Sequence, residues 1–243
     1  MSLARCDLHP CPDGDTLAQA LAADIAGRLR AAVAERGQAL LAVSGGRSPV
    51  PLFQQLARQA LPWARVTVLL VDERCVPPGH ADSNSALVRQ HLLQGPAAAA
   101  HWLPFFDTLP GFDARQGLAR AALLALTDAA QQRLSALPWP LDVAVLGMGE
   151  DGHTASLFLG AAGLAQALLS ERPLAWTVPA TAPHARLTLT LPTLLAARCL
   201  VLPLAGANKH AVFRQACAAP TADLPISLVL HQAPRPVHVW QAP

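Results

Sequence analysis

Charge is scarce in this chain. Asp, Glu, Lys and Arg make up 14% of 243 residues, and 18 basic against 16 acidic side chains leave a formal net charge of +2. That balance excludes nucleic acid or an anionic membrane held by bulk charge, so any bound anion must be met by a local cluster. Lysine is nearly missing: Lys209 is the one lysine among the 18 basic residues. Long apolar runs are missing too. Arg, Pro, Gly or Asp breaks each stretch well before the roughly 20 residues of a membrane span. Residues Met1 to Asp15 lack an apolar run and are not expected to be a secretory signal. The five cysteines, Cys6, Cys11, Cys75, Cys199 and Cys217, are odd in number and scattered, with no C-x-x-C. Neither a disulfide framework nor a zinc ribbon is expected, and a reducing cytoplasm is the compartment that fits.

What the chain has in quantity is core. Apolar types reach 52%, enough for a sizeable interior and too many for disorder as the main state. Leu17, Leu21, Ile25, Leu29 and Val33 recur every four residues and predict a helix over 15–36, capped by Asp15 or Thr16 and stopped at Gly37. Short apolar runs at 39–44, 65–71 and 141–147 read as strands. Helices are expected from Pro49, over 85–93, over 113–136 and near 209–218. Further strands are expected at 174–180, 186–192, 199–206 and 236–240. The first three strands are apolar throughout, the pattern of a parallel sheet covered on both faces. The expectation is one doubly wound α/β domain over 1–243, Rossmann-like, with a mostly parallel sheet and residues 1–14 as an N-terminal tail. Such sheets bind ligands beyond the carboxyl ends of their strands. Ser44, Asp72 and Gly147 each open a turn at such an end.

Four clusters there carry chemistry. Ser44-Gly45-Gly46-Arg47-Ser48-Pro49 joins a strand to a helix. Its glycines let backbone N–H groups approach an anion, and the helix start adds free donors; the same turn is equally a serine-capped connection. Asp72-Glu73-Arg74 is either a salt-bridge network or an arginine facing the site with acids holding loops in place. Asp82-Ser83-Asn84 can cap the next helix. Gly147-Met148-Gly149-Glu150-Asp151-Gly152-His153 contains G-x-G-x-x-G, but it follows the third major strand, and no acid closes a next strand about 20 residues on. Asp151 and His153 instead read as an orienting acid and a proton-carrying base. Arg186 and Lys209 supply a guanidinium fork and a point charge suited to a phosphate, or are chance surface cations. The remaining histidines lack metal-ligand spacing, so no metal is assigned. With no G-x-S-x-G elbow, a serine hydrolase is disfavoured.

SGGRSP, VDERCVPPGHADSN, LGMGEDGHTASLF, RLTLTLP and GANK, in this order and spacing, resemble the 6-phosphogluconolactonase family, which shares a superfamily with glucosamine-6-phosphate deaminase. The likeness runs from about residue 12 to 240. It implies a deaminase-like α/β fold and hydrolysis of 6-phospho-D-glucono-1,5-lactone to 6-phospho-D-gluconate in the oxidative pentose phosphate pathway, without metal or organic cofactor. By motif, His153 would activate water and later protonate the ring oxygen, with Asp151 orienting it. Ser44, Gly45, Gly46, Ser48, Arg74, Arg186 and Lys209 would hold phosphate and neighbouring hydroxyls, and Asp72 would position substrate or brace a loop. The family often has Thr at the place of Ser48 and Pro at the place of Leu159. The deaminase branch carries a glutamate soon after its histidine, whereas SLFLG follows here and no acid lies between His153 and Glu171. A deaminase or isomerase, or a catalytically silent sugar-phosphate-binding regulator, are the alternatives. The partner implied is a small sugar phosphate lactone, not nucleic acid or membrane, and the chain is expected as a monomer or small homo-oligomer.

Overall fold

The computed structural model describes residues 4–113 and 117–243. In chain order the strands are β1 (Cys6–Pro10), β2 (Ala39–Val43), β3 (Val66–Leu70), β4 (Asp72–Arg74), β5 (His101–Trp102), β6 (Val143–Val145), β7 (Leu174–Thr177), β8 (Arg186–Leu189), β9 (Leu200–Ala205) and β10 (Val237–Ala242). The helices are α1 (Gly14–Arg36), α2 (Val50–Ala57), α3 (Asn84–His91), α4 (Arg120–Leu134), α5 (Leu164–Leu169), α6 (Leu191–Leu195), α7 (Ala207–Ala218) and α8 (Pro225–Gln232).

Seven strands form one parallel sheet in the order β1-β10-β9-β6-β2-β3-β5. From β2 the chain winds outward through β3 to β5. It then returns to β6 on the other side of β2 and winds away through β9 and β10. The carboxyl ends of β2 and β6 therefore flank a topological switch point, where adjacent loops part and leave a crevice. β2 and β6 are buried at every residue, as a doubly covered parallel sheet requires. The fold is α/β and Rossmann-like, with helices packed against the sheet. The apolar stripe of α1, Leu17, Leu21, Ile25 and Leu29, is buried. Its N-cap is Asp13 rather than Asp15 or Thr16: the Asp13 carboxylate accepts the Thr16 N–H at 2.7 Å. Gly37, left-handed at φ 76°, ends the helix.

Three regions depart from expectation. The 186–192 run and 174–180 run do not extend the parallel sheet. β8 and β7 pair antiparallel with each other, and β8 pairs with β4, in a separate sheet ordered β4-β8-β7. The alternation Arg-Leu-Thr-Leu in β8 is the two-faced pattern of an antiparallel strand rather than the apolar run of a parallel one. The helix expected over 113–136 begins only at Arg120. Asp113 bridges to Gly117, which sits at φ 72°, and neither is compatible with a continuous helix; the intervening 114–116 lie outside the described residues. Within the expected tail, Cys6–Pro10 form edge strand β1 beside β10. Pro10 is tolerated there because an edge leaves one side of the ladder free. Among the described residues no helix is long and apolar enough to cross a membrane.

Candidate active site

A cleft of about 230 Å³ opens over the carboxyl ends of β2 and β6. Ser44 directly follows β2 and lines the cleft. The Ser44 hydroxyl donates to the Val145 carbonyl at 2.9 Å and accepts the Gly147 N–H at 2.8 Å. It thus fastens the two strand ends together, and Ser44 lines the cleft with its hydroxyl already engaged. Gly45 follows where no side chain fits: a Cβ would lie 1.9 Å from Asn84 Oδ1. Gly46 is left-handed at φ 87°. Ser48 lines the cleft just before α2.

The second wall is β4 against β8. In their register Arg74 stands directly opposite Arg186. Like charges in cross-strand positions repel. Among the described residues, the buried Nε of each arginine has no hydrogen-bond partner. Arg74 Nη1 donates to the Asp82 carbonyl at 2.8 Å. Arg186 is 6% exposed, and Asp72 lies 3.6 Å from its guanidinium. Desolvation pulls the pKa of Arg186 below its ordinary value; Asp72 opposes the shift and Arg74 adds to it. Asp72 pairs with Arg186, while the Arg74 side chain donates to a backbone carbonyl, so two guanidinium groups stand against one paired carboxylate on this wall. Lys209, on the first turn of α7, adds a third cation to the same cleft. No side chain caps α7, so its first N–H groups are also free of a side-chain acceptor.

The third wall is the glycine turn after β6. His153 Nδ1 meets Asp151 Oδ1 at 2.5 Å, and the same oxygen accepts the His153 backbone N–H at 3.2 Å. Desolvation pushes the Asp151 carboxyl up, but the hydrogen bond and charge of His153 outweigh it and hold the pKa below the ordinary value. An ionised Asp151 can only accept, so Nδ1 is the nitrogen that carries hydrogen toward it, and in the neutral ring Nε2 is then the acceptor. Gly149 makes the pairing possible: a Cβ there would lie 2.2 Å from His153 Nδ1 and 2.4 Å from Asp151 Oδ1. The cleft thus joins a cationic wall to a histidine held through Nδ1 by a carboxylate.

Residues 12–240 match the family model described as glucosamine-6-phosphate isomerases/6-phosphogluconolactonase. The chain belongs to this family. A 6-phosphogluconolactonase of Pseudomonas aeruginosa is 47% identical over 204 residues, which are 83% of this chain and 81% of the relative. One of Pseudomonas putida is 43% identical over 243 residues, 99% of this chain and 94% of the relative. The crystal structure of a 6-phosphogluconolactonase from Shewanella baltica superposes with a TM-score of 0.91 at 38% identity and covers 100% of both chains.

Within this member of the glucosamine-6-phosphate isomerase/6-phosphogluconolactonase family, the cleft collects Ser44, Gly45, Gly46, Ser48, Asp72, Arg74, His153, Arg186 and Lys209 along its lining. Asp151 stands behind His153. Supporting residues complete the frame, and Glu73 and Ser83 take the loop-holding and capping roles that the sequence offers for their segments. Glu73 accepts the N–H groups of Arg74, Asn84 and Ser85 at 2.7–2.8 Å and the Ser83 hydroxyl at 3.2 Å. It closes the start of α3, where Ser83 also caps the Ala86 N–H. Asn84 holds the Asp72 carbonyl at 2.9 Å. The Ser156 hydroxyl donates to Asp72 at 2.6 Å, fixing the carboxylate beside Arg186. Phe158 stacks on His153 with ring centroids 3.9 Å apart, and the Arg186 guanidinium lies 4.8 Å from the same ring. One aromatic ring therefore contacts both the base and a cation. Its signal is the SLF segment, whose Phe158 lies five residues after His153, close enough to fold back over the turn.

Proposed function

We propose that this chain hydrolyses 6-phospho-D-glucono-1,5-lactone to 6-phospho-D-gluconate. The observation that carries this reading is the cross-strand pair Arg74 and Arg186, repelling and incompletely bonded, in one cleft with the Asp151–His153 pair. A phosphate dianion there would accept from the guanidinium donors and offset their repulsion. Lys209 and the start of α7 would add charge and N–H groups to the same anion. Phosphate held at one end fixes the carbonyl at the other, which replaces a random encounter by positioning.

His153 Nε2 takes a proton from water as the oxygen attacks the lactone carbonyl carbon. The C=O electrons move onto the carbonyl oxygen. When they return, the bond from that carbon to the ring oxygen breaks, and the ring oxygen takes the proton from His153. The product acid then ionises to the carboxylate. Asp151 holds Nδ1–H and stabilises the transient imidazolium. A lactone is already an activated ester, so one base with good positioning suffices.

The chain would act as one sugar-phosphate-binding unit in the cytoplasm. Lactone made in place by glucose-6-phosphate dehydrogenase tests the reaction. Hydrolysis well above the spontaneous rate supports it. The spontaneous rate alone, with 6-phosphogluconate still bound, points to a silent regulator. Ammonia released from glucosamine 6-phosphate points to the deaminase branch.

A further inference from the structure

Two loops border the arginine wall from outside the cleft. One, between β4 and α3, carries His80 and Asp82. The other, between β7 and β8, carries His184. Their ligand atoms, two ring nitrogens and a carboxylate oxygen, all lie within 4.8 Å of one another. Asp82 Oδ2 is 2.9 Å from His184 Nε2 and 3.8 Å from His80 Nδ1. The two imidazole rings meet edge to face at 5.6 Å.

We propose that His80, Asp82 and His184 bind a divalent zinc-class cation that ties the two loops together. Zinc takes imidazole nitrogen and carboxylate oxygen at about 2.0–2.2 Å, which sets tetrahedral neighbours about 3.3–3.6 Å apart. The two separations from Asp82 Oδ2 lie on either side of that value; His80 Nδ1 accepts the Asp82 N–H at 3.1 Å, so the ring gives up that bond or turns its Nε2 inward to close the site around an ion. Two imidazoles with one carboxylate suit zinc and its borderline neighbours rather than calcium or magnesium, which take oxygen sets. The side chains are 41%, 50% and 24% exposed for His80, Asp82 and His184, so water can reach the ion and fill its fourth position. The charged and titratable groups acting on Asp82 are His184, His80 and Arg74. Arg74 already donates to the Asp82 backbone carbonyl rather than to its carboxylate. On the second loop Arg186 reaches the Pro183 carbonyl at 3.5 Å. An ion here would hold both loops on which the two arginines rest. Linear spacing hides the site because His184 is 102 residues from Asp82. Histidine binds such an ion as the neutral imidazole, through a ring nitrogen lone pair.

Titration calorimetry of the full chain with zinc ions, under reducing conditions at neutral pH, should show one ion per chain. His80→Gln and His184→Asn should each abolish it without changing the circular dichroism spectrum; asparagine suits the left-handed backbone at His184, φ 69°. His153→Ala, and serine in place of Cys6, Cys11 and Cys217, should retain it. Zinc-edge anomalous density in a soaked crystal should peak between the three side chains. Absence of a stoichiometric ion in the parent overturns the proposal. So does undiminished binding in both loop variants, or binding lost in His153→Ala instead.

Discussion

Replacing Asp151 with asparagine keeps the shape of the glycine turn and removes one charge. In the parent, Asp151 Oδ1 accepts from His153 Nδ1 at 2.5 Å and from its backbone N–H at 3.2 Å. An asparagine oxygen can still accept both, but it no longer neutralises the imidazolium formed when His153 takes a proton from water. Its amide can also turn its NH₂ toward Nδ1 and select the tautomer whose Nε2 already carries hydrogen. A hydrogen bond to a charged group is worth about 1.5–3 kcal/mol net. The side chains of Asp151 and His153 are 53% and 29% exposed, so water screens the pair and the lower end applies. About 1.5 kcal/mol is roughly 10-fold in kcat. KM should stay near the parent value, because Asp151 stands behind the histidine and not on the cleft lining. Because the parent carboxyl is held below its ordinary pKa, the pair persists through the neutral range and is lost only as pH falls through that lowered value. Initial rates on freshly generated lactone, with spontaneous hydrolysis subtracted, measure both constants. An unchanged kcat, or a change confined to KM, refutes the orienting role.

Three further perturbations probe the frame. Arg186→Met should raise KM by about 10- to 100-fold through loss of charge-assisted bonds to phosphate, and heat protection by 6-phosphogluconate should vanish in a thermal-shift assay; parental protection would remove Arg186 from the anion site. Gly45→Ala drives a Cβ into Asn84, which is itself tied to Asp72; a loss of about 1–3 kcal/mol in denaturant unfolding is expected, and parental stability would mean that Asn84 yields freely. Desolvation raises the Glu73 pKa against its four hydrogen bonds. The folded chain then binds that proton more tightly than the unfolded one, so this contribution is full below the ordinary glutamate range and declines as pH rises through the raised value. Glu73→Gln should flatten the fall of Tm with pH in that window, and it should lower stability by about 1–3 kcal/mol because an amide nitrogen faces N–H donors; an unaltered slope contradicts the assignment.

Much of this site could be read along the chain because its motifs sit at strand ends. β2, β3 and β6 are short, continuous apolar runs, and Ser44, Asp72 and Gly147 follow such runs directly. Local spacing also placed Asp151 near His153, although contact depends on Gly149 leaving room for both side chains. The facing of Arg74 and Arg186 was not legible. It arises from antiparallel pairing between segments far apart in the chain, and β8 carries no local sign of its partner. The DER triplet offers an acid that holds a loop, but that Glu73 holds the start of α3 shows only in the fold. β1 escaped notice because an edge strand needs little apolar pattern, and Asp7, His9 and Pro10 mask it. The α8 segment, PISLVLHQ, is too short for periodicity to separate it from a strand.

The central claim is that a cationic phosphate cradle presents a lactone to His153. The most direct measurement is the turnover of His153→Ala on freshly made 6-phosphogluconolactone, with 6-phosphogluconate binding measured on the same preparation. The account predicts binding close to parental and a rate lower by about 100-fold or more. A parental rate in a variant that binds normally would contradict it.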